Sequence, residues 1–579
     1  MRTHYPRTPH LPWSPGAAAD DVRAGNAGGL VGREVVVTEK LDGENTTLYA
    51  DGLHARSLDS AHHPSRTWVK ALQARIGHAI PAGWRVCGEN VYARHSLPYG
   101  DLDAHFYGFS VWDADGRCLD WDRTVRVLRG LGVPSPRVLW RGVYDERALR
   151  RLRLDLARQE GYVVRTAAGF GQREFGDRVA KWVRAGHVRT DTHWMHSAVV
   201  ENRLGARAAL WAVRSGAAAD AGQLSAALGL TVSPAAERYE GDGRLGDARL
   251  AGVLASGLHG RRRSTLPARL RGALGMRLAR RVADLVGLVD GVHGPYPDEE
   301  RRAGLIRMSY AADLDVLHAV ARTSAATAEE RERTEWSALH AEEIRPLGPL
   351  PFGGLDPEAA DRCRAEARQA YAEGRIGGAD EAGAATWRWR SGAYPRLVQL
   401  VGVSGSGKST FARTLPAARQ VSLDELRAAA GDRGDQRDNG GILRAGLGRL
   451  DAALAEAAGG GTVVWDATSL NRRQRSLVHA VARRRNALIT HAVVLVDEDE
   501  AVRRNAGRAH PVPERVLRAQ LGRFSPPYPG EAHRTWYIGS DGAVEDTDPD
   551  TDHGTEVPDA GTATGTEHGM GGGADSADE

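Results

Sequence analysis

The stretch Gly402-Val403-Ser404-Gly405-Ser406-Gly407-Lys408-Ser409 constrains this chain of 579 residues more than any other. It fits the pattern GxxxxGK[ST], follows the apolar, strand-like run RLVQLVGV, and precedes FARTL, which can continue as a helix. Such a loop turns successive backbone N–H groups toward phosphate oxygens at the positive end of the helix after it. Its lysine reaches the β- and γ-phosphates and the hydroxyl after it can ligate Mg²⁺. Gly402, Gly405, Gly407, Lys408, Ser409 and Thr410 are therefore expected to hold a nucleoside triphosphate. Downstream, VSLDELRAAAG, GTVVWDATS, a basic helix and HAVVLVDED alternate strands with helices, which predicts a parallel α/β sheet.

A phosphate-binding loop does not say what receives the phosphate. In VSLDELR, Asp424 and Arg427 stand three apart, so both can face one cleft if a helix starts there. A carboxylate that accepts a hydroxyl proton, beside an arginine that holds an acceptor phosphate, is what a hydroxyl kinase needs. The bland alternatives are that Asp424 caps a helix and that Arg504 and Arg508 form a solvated face. With WDATSLNRRQR and VRRNAGRAHPVPERVLRAQLGRF coming next in order, the block resembles a polynucleotide 5'-hydroxyl kinase. The resemblance implies Asp424 as general base, Arg427 on the phosphate of the terminal nucleotide, and Asp466 orienting the acceptor end. It makes the segment from Arg504 to Arg508 a lid whose Arg508 stabilises the transferring phosphoryl group.

Of 77 basic residues only four are lysines: Lys40, Lys70, Lys181 and Lys408. A guanidinium stays protonated, whereas an ammonium can give up its proton when desolvated or crowded, so a lysine kept against this bias is a candidate for work that needs an amine. Lys40 opens Lys40-Leu41-Asp42-Gly43, a KxDG pattern that alone is weak. After it come, in order, Ala55-Arg56-Ser57, Gly88-Glu89-Asn90, the aromatic run FYGFSVWD from Phe106, Glu160-Gly161-Tyr162-Val163-Val164, and Val179-Ala180-Lys181-Trp182-Val183-Arg184. That series resembles covalent nucleotidyltransferases, in particular RNA ligases of the phage and bacterial type. The resemblance implies that Lys40 attacks the α-phosphate of ATP and carries AMP, a task closed to arginine. It also implies Lys181 near that phosphate, lowering the pKa of Lys40, with Glu89 on the ribose, Phe109 on the adenine, Glu160 on the metal or ribose, and Arg56 in the nucleotide site. Asn45 is implied in the sealing steps. Relatives carry a second lysine where this chain has Val183, next to Arg184, and Lys70 reads as surface.

The first 205 residues alternate short β-type runs with turns, the pattern of an antiparallel or mixed-sheet α+β domain, and the resemblance implies that this is the nucleotidyltransferase domain. Residues 206–390 are Ala-, Leu- and Arg-rich at helical spacing, 391–540 form the P-loop domain, and 541–579 form an acidic tail too poor in apolar residues to fold. The tail holds twelve acidic residues, so a net charge of +3 hides a body near +15, which suits a polyanionic partner. In the middle region Asp313 and Asp315 superficially match a phosphatase pattern but read as structural, and Arg261-Arg262-Arg263 could meet phosphate or merely solvent. Three cysteines without a CxxC pair speak against disulfide or zinc frameworks. No apolar run approaches membrane length, and MRTHYPRTPHLPWSPG lacks a signal-peptide core, so the expectation is a cytoplasmic, multidomain α/β protein.

Taken together these readings predict an RNA end-healing and sealing enzyme using ATP and Mg²⁺ (or Mn²⁺) on RNA with 5'-OH or 5'-phosphate and 3'-OH ends. Two alternatives stay open: a kinase with a degenerate N-terminal RNA-binding module, and a ligase and kinase acting on DNA.

Overall fold

The computed structural model describes residues 2–549 apart from 19–20, 59–61, 187–197, 242, 296–297, 346, 417–418 and 432–438. The chain forms two compact units, Met1–Gly205 and Ala206–His553. Most of the segment HVRTDTHWMHSAVV and the acidic stretch from Asp550 onward lie outside the described residues.

The first unit carries β1 (Glu34–Lys40), β2 (Glu44–Tyr49), β3 (Gly52–Ala55), β4 (Arg85–Asn90), β5 (Phe106–Trp112), β6 (Arg117–Cys118), β7 (Val138–Val143), β8 (Gly161–Thr166), β9 (Phe170–Gly171) and β10 (Val179–Val183). They build two antiparallel sheets, ordered β10-β8-β1-β7 and β3-β2-β4-β5-β6-β9. β1 reads EVVVTEK and is buried through Val35, Val36, Val37 and Thr38, as a central strand covered on both faces must be. Only three residues separate its end at Lys40 from Glu44 at the start of β2 in the other sheet. The KLDG motif is thus the crossing point between the sheets. Gly43 is needed there, because a Cβ would lie 2.4 Å from the Asn90 carbonyl oxygen. Asp42 holds the crossing in place: its Oδ2 accepts hydrogen bonds from Ser96 N (2.9 Å), Ser96 Oγ (2.6 Å) and Leu97 N (2.9 Å).

The second unit begins with helices from Ala208–Arg214 to Ala379–Ala385. Its apolar core gathers Leu250, Leu254, Leu278, Val282, Val289, Leu317 and Val320 from the helices Gly246–Gly257, Met276–His293 and Leu314–Ser324. Asp313 caps the last of these, accepting from Asp315 N and Val316 N, and His318 bonds Ser337, so this stretch builds structure. Next in the chain is a six-stranded sheet, with β11 (Arg396–Val401), β12 (Arg419–Ser422), β13 (Thr462–Asp466), β14 (Leu488–Val494), β15 (Arg534–Ile538) and β16 (Val544–Asp548) in the order β12-β13-β11-β14-β15-β16. The first five run parallel and β16 runs antiparallel at the edge. The phosphate-binding loop leaves the C-terminal end of β11, where the strand order reverses, the usual place for a ligand in an open α/β sheet.

Two expectations need correction. The acidic tail does not start at Asp541 as unfolded chain, since residues 544–548 form β16. Two of its charges are matched: Glu545 pairs with Arg271 and Asp546 with Arg280. In the Arg261-Arg262-Arg263 run, Arg261 and Arg262 are exposed, as a solvated stretch would be, and Arg263 alone is neither phosphate-facing nor solvated. Arg262 pairs with Glu498, while Arg263 bonds Asp284 and the carbonyls of Pro526 (2.5 Å) and Pro527 (2.9 Å), with its guanidinium 3.5 Å from the Tyr528 ring centre. Asp284, 1 % exposed, also takes Arg280 at 3.1 Å. Breaking a buried ion triad at one member costs roughly 3–5 kcal/mol, because the remaining charge is left uncompensated. These contacts bind the helical region and the sheet into one unit.

Candidate active sites

In the first unit, a cavity of about 720 Å³ opens between the two sheets, and its lining includes Lys40, Asn45, Arg56, Glu89, Phe109 and Lys181. The strands bring these together by register. Lys40 pairs with Gly161 and Lys181 with Val163, so the two lysines flank β8 on neighbouring strands. Asn45 pairs with Glu89 across β2 and β4. Phe109 is the one residue of β5 that is not buried, and it faces the cavity.

Glu160 stands at the head of β8, buried, with its Oε2 2.5 Å from Lys40 Nζ. Glu89 Oε1 accepts the Gly43 N–H at 3.2 Å. The electrostatics differ from expectation at Lys40. Burial pulls its pKa down, but Glu160, Glu89 and Asp42 outweigh burial and hold the amine above the ordinary lysine value. It is Lys181 that is lowered, by burial first and then by the Lys40 charge. Burial also pushes Glu89 up to about 7, with Lys40 opposing the rise. Arg184 does not replace the missing second lysine: its guanidinium donates to the Leu156 carbonyl and it does not line the cavity. Lys70 is exposed.

One pair has no signature in the sequence. Arg66, in the cavity wall, donates to Glu44 through Nε (2.8 Å) and Nη2 (2.5 Å), and both side chains are buried. Nothing in PSRTW, a polar stretch between motifs, signals a buried fork.

In the second unit, Gly402, Gly405 and Gly407 take φ of 150°, 79° and 103°. A Cβ on Gly405 would come within 2.5 Å of the Ala501 carbonyl oxygen, so the loop packs directly on the helix Glu498–Ala506. Lys408 Nζ donates to the Val403 carbonyl at 2.6 Å, while Ser409 and Thr410 are exposed at the start of the helix Lys408–Ala412. Burial, reinforced by Arg508, lowers Lys408 to about 8 although Asp466 and Asp424 oppose the shift.

Ser422, not Asp424, caps the helix Leu423–Ala430, accepting from Glu425 N, which disposes of the capping alternative. Asp424 is 59 % exposed and pairs with Arg427 at 2.7 Å. Asp466, at the end of β13, accepts from Gln420 Nε2 at 2.9 Å. Asn471 is spent as the cap of the helix Arg472–Arg484. Arg504 is tied to Glu500 (2.6 Å) and the Ser540 carbonyl (2.8 Å), whereas Arg508 lies beyond the helix end and is exposed. The two do not share a helical face.

Residues 33–183 match the RNA ligase family and residues 397–527 match the AAA domain family. The chain joins an RNA ligase domain to a kinase-like P-loop domain. No curated protein matches the chain. Among solved structures it is similar to the Pnkp1/Rnl/Hen1 RNA repair complex (23 % identity over 22 % of this chain and 44 % of that one, TM-score 0.20). It is also similar to a variant of the Naegleria gruberi RNA ligase with ATP and Mn (16 %, 27 % and 52 %, TM-score 0.22). A sugar kinase from Janibacter matches at 20 % identity over 25 % of this chain and 86 % of its own, with a TM-score of 0.21. The chain spans about half the length of the ligase and repair-complex chains it matches. Among the described residues no helix is long and apolar enough to cross a membrane.

Proposed function

We propose that this chain heals and seals broken RNA: the P-loop domain phosphorylates a 5'-OH with ATP, and the ligase domain joins the resulting 5'-phosphate to a 3'-OH. In this reading residues 1–205 seal, 391–540 phosphorylate, and 206–390 support the kinase. The observation that carries it is that Lys40 shares one cavity with Arg56, Glu89, Phe109 and Lys181.

Lys40 Nζ attacks the α-phosphorus of ATP, forming an N–P bond as pyrophosphate leaves. Glu160, 2.5 Å away, is placed to take the proton the amine loses. Lys181 and Arg56 neutralise phosphate charge, Glu89 meets the ribose and Phe109 the adenine. The 5'-phosphate of the RNA then takes AMP from Lys40, and the 3'-OH displaces AMP to close the strand, with Asn45 at the sealing centre. In the other domain Lys408 and the N–H groups of the loop hold the triphosphate. Asp424 receives the proton of the 5'-OH as it attacks the γ-phosphorus and ADP leaves, Arg427 holds the acceptor phosphate, Asp466 orients the end, and Arg508 meets the transferring group.

Among the described residues no three His, Cys, Asp or Glu side chains converge as a metal site. Ser409 and Glu160 each offer one oxygen donor, which fits Mg²⁺ or Mn²⁺ taking most ligands from the triphosphate and water. An ion bound there would neutralise phosphate charge.

The test is a broken RNA hairpin with 5'-OH and 3'-OH ends, incubated with the full chain, Mg²⁺ and γ-labelled ATP. The expected product is a closed strand with label at the junction. Label on an unjoined 5' end, with no joining even of 5'-phosphate RNA, would leave a kinase with an N-terminal binding module. Equal joining of all-DNA strands would make the polymer wrong.

Lys408 gives a pH-dependent signature. Free, it is about one quarter charged at pH 8.5, and bound phosphate restores its proton, so ATP binding should take up about 0.7 proton there and almost none at pH 6.5. Calorimetry in two buffers of different ionisation heat measures the uptake. Lys408→Ala should remove it.

A further inference from the structure

Tyr5–Thr8 and Asp21–Val22 precede the segment that matches the RNA ligase family, yet they line the cavity. Tyr5 packs edge-on against Phe109, with ring centres 5.2 Å apart. Further on, Lys181 N donates to the Pro9 carbonyl (2.9 Å) and Leu11 N to the Lys181 carbonyl (2.8 Å), so this segment pairs with β10 at Lys181 itself. The chain then doubles back: His10 N donates to the Val22 carbonyl and Ala24 N to the His10 carbonyl. That return brings Asp21 to the cavity, with Oδ1 3.9 Å from Lys181 Nζ and Oδ2 3.2 Å from Nε2 of His10.

His10 is 1 % exposed, and burial lowers its pKa to about 4, so it is neutral. Its tautomer is set by its neighbours. Ser14 Oγ already accepts the Val183 N–H at 2.9 Å, and its own proton has a closer acceptor in His10 Nδ1 (2.9 Å) than in the Val183 carbonyl (3.5 Å). The imidazole proton is thereby assigned to Nε2, the nitrogen nearest the Asp21 carboxylate. The Ala18 N–H donates to the same oxygen, Asp21 Oδ2, at 3.0 Å.

We propose that Asp21, held by the Ala18 N–H and by the return of the chain onto His10, is a positioning residue that sets Lys181 for the α-phosphate, which makes the N-terminal segment a working part of the sealing site. This rests on the ligase function proposed for the cavity. Lys181 is surrounded by Lys40 and Arg56, which repel it, and by Glu160 and Asp21, which attract it. Asp21 is the attracting group on the N-terminal segment, so removing its charge lets Lys181 shift without opening the cavity.

The experiment measures single-turnover AMP transfer to the full chain in wild type, Asp21→Asn and Asp21→Glu. Asp21→Asn should slow transfer about tenfold at saturating ATP with the half-saturating ATP concentration within twofold, and Asp21→Glu should recover most of the rate. A rate within twofold of wild type, or a loss seen wholly in ATP affinity, would overturn the proposal. A second readout does not depend on turnover. With four lysines, reductive ¹³C-methylation gives few side-chain resonances, and it keeps the lysine charge. The Lys181 resonance should move in Asp21→Asn while that of Lys408 stays. If wild type accepts no AMP, the ligase reading fails, and the Lys181 resonance alone decides whether Asp21 positions it: an unmoved signal sinks the claim.

Discussion

Lys40→Arg is expected to abolish the covalent AMP adduct, a loss of roughly 10⁴-fold or more, while leaving the chain folded and its 5'-kinase activity unchanged. The charge is kept, so the pairing with Glu160 at 2.5 Å can be kept too. What is lost is the only chemistry that matters, because a guanidinium has no lone pair free to attack phosphorus. Incubation with α-labelled ATP and then denaturing electrophoresis reads the result. Persistent label on Lys40→Arg would mean that another group carries AMP, and no label on wild type would mean that the cavity binds without reacting.

Asp424→Asn is expected to lower 5'-phosphorylation roughly 10²- to 10⁴-fold, the range for removing a general base, with nucleotide affinity nearly unchanged. The carboxylate is exposed and paired with Arg427, and Ser422 caps the helix it begins, so an amide should not disturb the fold. The assay is transfer from γ-labelled ATP to a 5'-OH oligonucleotide, beside nucleotide affinity measured on the same preparation. An unchanged rate would assign the proton to another acceptor. A collapse in nucleotide affinity would instead mean that Asp424 serves the triphosphate.

Both sites were legible in the sequence because each draws on short, ordered motifs at strand ends. RLVQLV is apolar almost throughout, as a strand buried on both faces must be, and the glycine spacing after it dictated the loop. Lys40 stands out as one of four lysines against 73 arginines, and six motifs in order point to the strands around it. What stayed hidden is non-local. β7, VLWRGV, is half exposed along its length and has no clean alternation, so the pattern of its residues announces no strand. The N-terminal segment is rich in proline and polar residues, and only its pairing with β10, about 170 residues later, makes it a wall. Local pattern likewise says nothing of Arg263, whose partners Asp284 and Pro526 come from distant stretches of chain. The expected lowering of Lys40 failed for a related reason: Glu160, Glu89 and Asp42 come from three separate segments, and their summed charge is visible only once the sheets bring them together.

The strand Val544–Asp548 has one more consequence. Without it, β15 would present the bare backbone of Thr535–Ile538 at the rim of a parallel sheet, an open template for another chain. A short acidic strand fills that place, and its Glu545 and Asp546 are anchored by Arg271 and Arg280. The beginning of the acidic tail is therefore itself the edge of this sheet, short and charged, and a truncation begun before Val544 would trade that blunted edge for the more adhesive β15.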